Sequence, residues 1–234
     1  MINIEELLSG NPYPGRGILI GRSEDSERSV IIYFIMGRSE NSRNRVFERT
    51  DDGIRTAAFD PGKMTDPSLI IYHPVRQTGA VTIVTNGDQT DTILDHLDRG
   101  FSFHNALNTR EYEPDAPNYT PRISGIVESG GSYMLSILKT VSGDPNSCQR
   151  NFFEYSKAIP GLGHFISTYE TDGDPLPSFK GEPIPVAITD SCGLEAFALE
   201  VWNALNDSNK VSLYARERNL SSCEVNDIII NTHT

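Results

Sequence analysis

The stretch SVIIYFIMGRSENSRNRVF, Ser29 to Phe47, decides how the rest of the chain is read. Val30 to Met36 are β-branched, aromatic or otherwise apolar without a break, the pattern of a strand buried on both faces. At Gly37 the chemistry changes. Arg38, Arg43 and Arg45 follow, interleaved with Ser39, Asn41, Ser42 and Asn44. Guanidinium forks match phosphate and carboxylate oxygens two at a time, and short hydroxyl and amide side chains complete the hydrogen bonds, so this loop suits an anion. A second reading of the same residues is a solvated hairpin tip whose arginines pair with Glu40 and Glu48.

Composition narrows the anion. The chain has 234 residues and a formal net charge of -12, which argues against a general nucleic-acid or anionic-membrane surface. Arginine outnumbers lysine 15 to 5, and 12 of the arginines lie at or before Arg122, so phosphate-binding groups are concentrated in the first half. A small anionic substrate fits this better than a polymer. Cys148, Cys192 and Cys223 are odd in number and free of any CxxC or Cys/His spacing, which indicates neither a disulfide framework nor a zinc site. No signal-like start and no apolar run near the ~20 residues of a membrane span are present, so the chain reads as soluble and cytoplasmic. No linker-like stretch divides it, and residues 1–234 read as a single domain.

Outward from the opening stretch, the spacing predicts a short helix at Ile4–Leu8, a strand at Gly17–Gly21 and a polar hairpin into the strand that ends at Gly37. Arg49–Asp66 reads as polar and turn-rich, with at most a short strand near Ile54–Phe59. Leu69–Tyr72 reads as a buried strand from whose end Tyr72 and Arg76 both emerge, and Ala80–Thr85 as another. Thr90 or Asp91 is suited to cap a helix through Arg99, with a second helix at Ser102–Thr109. Strands follow at Arg122–Glu128 and Ser132–Lys139 about a Ser129-Gly130-Gly131 turn, then at Asn151–Ala158 and Gly163–Thr168. Ser142–Ser147 and Asp172–Pro185 read as surface connections. Gly193–Leu205 is the clearest amphipathic helix, and Val211–Ala215 and Val225–Ile230 close the chain as strands. The class is α+β, with helical layers covering sheet faces.

Five segments taken together resemble the archaeal-type IMP cyclohydrolase family: GRSENSRNR at Gly37–Arg45, IIYHPVR at Ile70–Arg76, TNGDQTDTI at Thr85–Ile93, YEPDAPNYTPRI at Tyr112–Ile123 and ISTYE at Ile166–Glu170. The resemblance implies a four-layer αββα sandwich like that of N-terminal-nucleophile hydrolases. It also implies a cofactor-free, metal-free closure of 5-formamidoimidazole-4-carboxamide ribotide to inosine monophosphate (IMP), the final ring closure of purine biosynthesis, by a homo-oligomer. The chain opens Met1-Ile2 rather than with serine, threonine or cysteine, so the expectation is the fold without autoprocessing or its nucleophilic mechanism. Loops near Gly10–Pro14, Ser142–Ser147 and Asp172–Pro185 are enlarged relative to the archaeal pattern.

Carried onto the matching positions, the resemblance assigns Arg45 and Tyr72 to the reacting formyl and carboxamide groups and Glu113 as base or proton shuttle. Asn86 and Asp88 fall to the ring or ribose, Asn44 and Gly87 to substrate binding, and Arg38, Arg76 and Arg122 to phosphate binding or charge balance. Each has a plainer rival. Tyr72 has a second reading as a core-edge tyrosine satisfied by backbone, and Glu111 and Asp115 compete with Glu113. Asp88 and Asp91 read as turn and cap groups, and Arg122 as the partner of a loop carboxylate. His73 and His104 are taken as structural. The function readings are the cyclohydrolase, a non-catalytic purine-nucleotide binder on the same scaffold, and an amidohydrolase with a nucleophile exposed by processing.

Overall fold

A computed structural model describes residues 1–64, 67, 69–189 and 192–233. Two antiparallel sheets carry the structure. The six-stranded sheet contains β1 (Arg16–Arg22), β2 (Arg28–Met36), β10 (Leu162–Ser167), β11 (Ile184–Ala187), β12 (Lys210–Asn219) and β13 (Val225–Asn231), in the order β11-β10-β1-β2-β12-β13. The seven-stranded sheet runs in chain order through β3 (Arg45–Thr50), β4 (Gly53–Ala58), β5 (Val75–Thr78), β6 (Val81–Thr85), β7 (Arg122–Val127), β8 (Tyr133–Val141) and β9 (Asp144–Tyr155). The helices are α1 (Ile4–Ser9), α2 (Glu40–Arg43), α3 (Gln89–Asp98), α4 (Phe103–Asn108) and α5 (Leu194–Ala204).

The uninterrupted apolar run of β2 has a direct cause. Val30, Ile32, Phe34 and Met36 pack toward Ile4 and Leu8 of α1 and Leu194, Phe197 and Val201 of α5. Ile31, Tyr33 and Ile35, on the other face, meet Phe47, Ile54, Val75, Val84 and Ile123 of the facing sheet. A strand between two cores has no solvent face on which to place polar residues. A third core joins Ile93 of α3 and Phe103, Ala106 and Leu107 of α4 to Ile83, Ile126 and Leu138. Each fully buried Ile, Leu or Phe in these cores contributes roughly 1.5–3 kcal/mol of transfer free energy. No helix among the described residues is long and apolar enough to cross a membrane.

The structure corrects several sequence expectations. Leu69–Tyr72 is not a strand. The amides of Ile70 and Ile71 both donate to the Pro67 carbonyl, at 3.1 and 3.0 Å, forming a turn that exposes Ile71. Thr56 on β4 then holds the passing chain through its own backbone and hydroxyl. Local β propensity yields here to the turn that Pro67 begins and to the Thr56 staple. The strand starts one turn later, so Arg76 lies within β5 and Tyr72 precedes it. Arg49–Asp66 holds more strand than expected, the β3–β4 hairpin, while Thr65 and Asp66 lie outside the described residues. Most of Ser142–Ser147 is the start of β9, and Ile184 and Pro185 belong to β11. Asp88 occupies the N-cap of α3 in place of Thr90 or Asp91, with no side-chain cap bond. Its carboxylate is engaged by arginines instead.

Candidate active site

The start of β1, the end of β2, the end of β6 and the start of β7 all lie at one end of the molecule. Arg16 pairs in register with Ile35, and Thr85 with Ser124. The start of β3 joins them, because Arg45 reaches back to the end of β2: its Nε donates to the Ser42 carbonyl at 2.7 Å and its Nη2 to that of Met36 at 3.4 Å. Arg45 is 0% exposed, and its Nη1 has no hydrogen-bond partner among the described residues. Burial, followed by the nearby Arg16 charge, lowers its pKa.

The loop GRSENSRNR folds so that Arg45 alone of its arginines turns into the core. Ser39 and Ser42 form a capping box on the single turn of α2. A Cβ at Gly37 would lie 2.8 Å from the Ser42 backbone, which requires glycine there. Arg43 donates to the Gly37 carbonyl at 2.9 Å. Arg38 faces outward to Asp172 at 2.6 Å, and neither arginine uses Glu40 or Glu48. Asn44 spends both ends of its amide on the Asp60 backbone.

Glu113 enters from the loop between α4 and β7. Its amide donates to the Thr120 carbonyl at 2.9 Å, and Asp115 closes the loop by accepting from the Thr120 amide at 2.6 Å. The Thr120 hydroxyl shares a hydrogen bond with Tyr169 at 2.6 Å. Glu113 is 2% exposed, and among the described residues its carboxylate receives no hydrogen bond. Burial pushes its pKa up to about 7, against the lowering influence of Arg16 and Arg122, with Asp115 adding to the rise and Arg45 opposing it. Tyr72 is also buried, its hydroxyl 2.9 Å from that of Tyr33. Burial, with Tyr72 alongside, raises the Tyr33 pKa well above its ordinary value, so Tyr33 stays protonated.

Arg122 approaches Glu113 from the side of α3. Its Nη1 lies 2.6 Å from Gln89 Oε1 and 2.7 Å from Asp88, while its Nε is buried without a partner. Asp88 also accepts from Arg110 through both oxygens at 2.6 Å. Gly87 makes this packing possible: a Cβ there would sit 2.5 Å from Arg122 Nη1, 2.7 Å from Gln89 Oε1 and 3.4 Å from Glu113 Oε1. Asn86 is spent on the backbone of Pro121 and Ile123. Arg76 is paired with Asp52 and Asp91, at 2.7 and 3.0 Å.

Of the residues expected at the site, Arg45, Tyr72, Glu113, Gly87 and Arg122 converge. Asn44 and Asn86 brace the loops around them, Asp88 holds Arg122, and Arg38 and Arg76 are committed to carboxylates. Sequence reasoning missed Arg16 and Tyr33. Arg16 was legible as a charge on the inward-facing alternation of β1, which Ile18 and Ile20 continue and Arg22 ends, and Tyr33 as the one hydroxyl inside the Val30–Met36 run. Burial opposes the Arg16 cation, yet Glu113 and the phenols of Tyr13, Tyr169 and Tyr72 more than offset it, so its pKa is raised.

This arrangement offers one buried carboxylate able to move a proton near neutral pH, ringed by guanidinium and phenol donors. A family model described as IMP cyclohydrolase-like protein matches residues 13–222, which contain every group just described. The chain is 27% identical over 165 residues to an IMP cyclohydrolase of Methanococcus aeolicus, covering 68% of this chain and 74% of that protein. It is 29% identical over 161 residues to one of Methanopyrus kandleri, covering 67% and 75%. It is 30% identical over 162 residues to one of Methanosphaera stadtmanae, covering 68% and 74%. With the match running from Tyr13 through the whole of β12 and across both sheets, the chain belongs to the IMP cyclohydrolase-like protein family.

Proposed function

We propose that this chain is an IMP cyclohydrolase, closing 5-formamidoimidazole-4-carboxamide ribotide to inosine monophosphate with loss of water. In that reaction the carboxamide nitrogen attacks the formyl carbon, one C–N bond forms, and the formyl oxygen becomes an oxyanion. One proton leaves the carboxamide nitrogen and a second leaves the formamido nitrogen as its C=N bond forms, and the same oxygen, having taken up both, departs as water when its C–O bond breaks. Glu113 suits the proton transfer because burial brings its pKa to about 7, close to working pH. Arg45 suits the oxyanion because its Nη1 is buried and unpaired, a donor already in place before charge develops. Tyr72, backed by the Tyr33 hydroxyl, suits protonation of the departing oxygen. Arg122 faces the same carboxylate and balances its charge.

The observation that carries this reading is a buried carboxylate without hydrogen bonds amid buried guanidinium groups that still have free donors. Three cores separating two helix pairs and two sheets support the finer fold reading, a four-layer αββα sandwich of the N-terminal-nucleophile type acting without autoprocessing. One chain-long catalytic unit, a cytoplasmic location and a homo-oligomer belong to the same proposal.

The test is IMP formation from the formamido ribotide, followed by absorbance, with Arg45→Ala in parallel. We expect turnover by the parent and a fall of a hundredfold or more in the variant. Folded parent protein that binds IMP but forms none would overturn the enzyme reading in favour of a nucleotide binder.

A further inference from the structure

We propose that Arg16 is a positioning residue for this reaction: its guanidinium, fixed by β1 at the inter-sheet end, holds Glu113 as the carboxylate that accepts the carboxamide proton. The inference rests on the cyclohydrolase reading and adds a residue to it.

The backbone of Arg16 is pinned on two sides. Its amide donates to Thr168 Oγ1 at 3.1 Å, and its carbonyl accepts from the Thr168 amide at 2.9 Å. Gly15 before it has φ +79°, and a Cβ there would lie 2.3 Å from Thr168 Oγ1 and 2.5 Å from the Tyr169 ring, so the chain is clamped where the side chain leaves it. Strand alternation then directs Arg16 to the same face as Ile18 and Ile20, into the space between the sheets. There it forms no ion pair with any carboxylate among the described residues, and its Nε has no hydrogen bond. A cation so buried needs an anion within electrostatic reach. Glu113 is the carboxylate that acts on it most, ahead of the phenols of Tyr13, Tyr169 and Tyr72.

The reverse relation is equally specific. The charged groups facing Glu113 are Arg16 from β1, Arg45 from β3, Arg122 from β7 and Asp115 from its own loop. Arg16 acts most strongly among them. Arg122 already shares its charge with Asp88, and Arg45 is tied to two backbone carbonyls and already assigned to the oxyanion. Arg16 alone has neither commitment. Because it forms no direct bond to Glu113, it favours the ionised state without blocking the oxygen lone pairs that must take the proton.

The test follows the Glu113 carboxyl band by infrared difference titration in parent, Arg16→Lys and Arg16→Met proteins, with Glu113→Gln identifying the band. The pH profile of kcat/KM is measured on the same samples. We expect the Glu113 midpoint to rise by about one pH unit or more in Arg16→Met, a tenfold loss of ionised base below the midpoint, and to move less in Arg16→Lys. The acid limb of kcat/KM should move with it, so that raising the pH restores rate. Arg16→Gln replaces the methionine variant if that does not fold. An unmoved midpoint, or a loss of rate equal at every pH, would overturn the role of Arg16. The infrared arm needs no turnover, so a parent protein with a movable midpoint and no IMP formation would strike the cyclohydrolase reading instead.

Discussion

At the corner where α3 begins, Asp88 takes Arg110 through both oxygens and Arg122 through one, while Gln89 and Asn86 spend their amides on neighbours. On the other side of Arg122, Glu113 receives no hydrogen bond among the described residues, and Arg16 and Arg45 each keep a buried nitrogen without a partner. The two clusters use the same residue types and share an arginine. They differ in how much hydrogen-bonding capacity is left over. The α3 corner, paired apart from the Arg122 Nε, behaves as a brace, whereas the less fully paired cluster around Glu113 bears a cost that a bound substrate can offset.

That contrast can be broken most forcefully at Glu113. Its folded pKa of about 7 lies above the ordinary carboxyl value of 4.5, so the folded state holds a proton that the unfolded chain has released between those limits. The stability carried by the neutral form is complete below about pH 4 and is lost as pH rises through about 7. Glu113→Gln keeps the neutral shape at every pH. Relative to this variant, the parent should lose about 3 kcal/mol of unfolding free energy between about pH 4 and about pH 8 in urea titrations. A constant difference across that range would mean that Glu113 is not strained by its setting.

The brace should respond in the opposite way. Asp88→Ala removes the carboxylate shared by Arg110 and Arg122 and leaves Arg122 buried with less compensation, so a stability loss of about 1–3 kcal/mol is expected by chemical denaturation at neutral pH. The smallest effect belongs to the outward arginine of the same loop that supplies Arg45. Arg38 meets Asp172 with both side chains more than a third exposed, and Arg38→Ala should shift stability by less than about 1 kcal/mol, declining further with added salt. A large loss there would show that the 38–45 loop depends on its surface pair rather than on the capping box of α2.

Much of this was readable beforehand, for identifiable reasons. The β2 run, the Ser129–Gly131 hairpin and the α5 stripe are local patterns whose periodicity decides their structure, and they fold as read. Arg45, Tyr72 and Glu113 were legible through the motifs that hold them, and the structure brings them to one place. The Leu69–Tyr72 segment misleads because its β propensity is overruled by a turn and by Thr56, a partner distant in sequence. The arginines were alike on the page. Only three-dimensional pairing separates Arg38 and Arg76, which form ion pairs with carboxylates, from Arg16 and Arg45, which form none among the described residues.

The two sheets also differ in how the chain builds them. The seven-stranded sheet pairs each strand with the one just made, so it can zip up as it emerges from the ribosome. The six-stranded sheet cannot: β1 must wait for β10, and β2 for β12 near the other end of the chain. Arg16 belongs to the late sheet, while Arg45 and Glu113 come with the early one. A nascent chain thus carries Glu113, Arg45 and Arg122 together on the early sheet before the late sheet seats Arg16 beside them, and the cluster is complete only when almost the whole chain has been made.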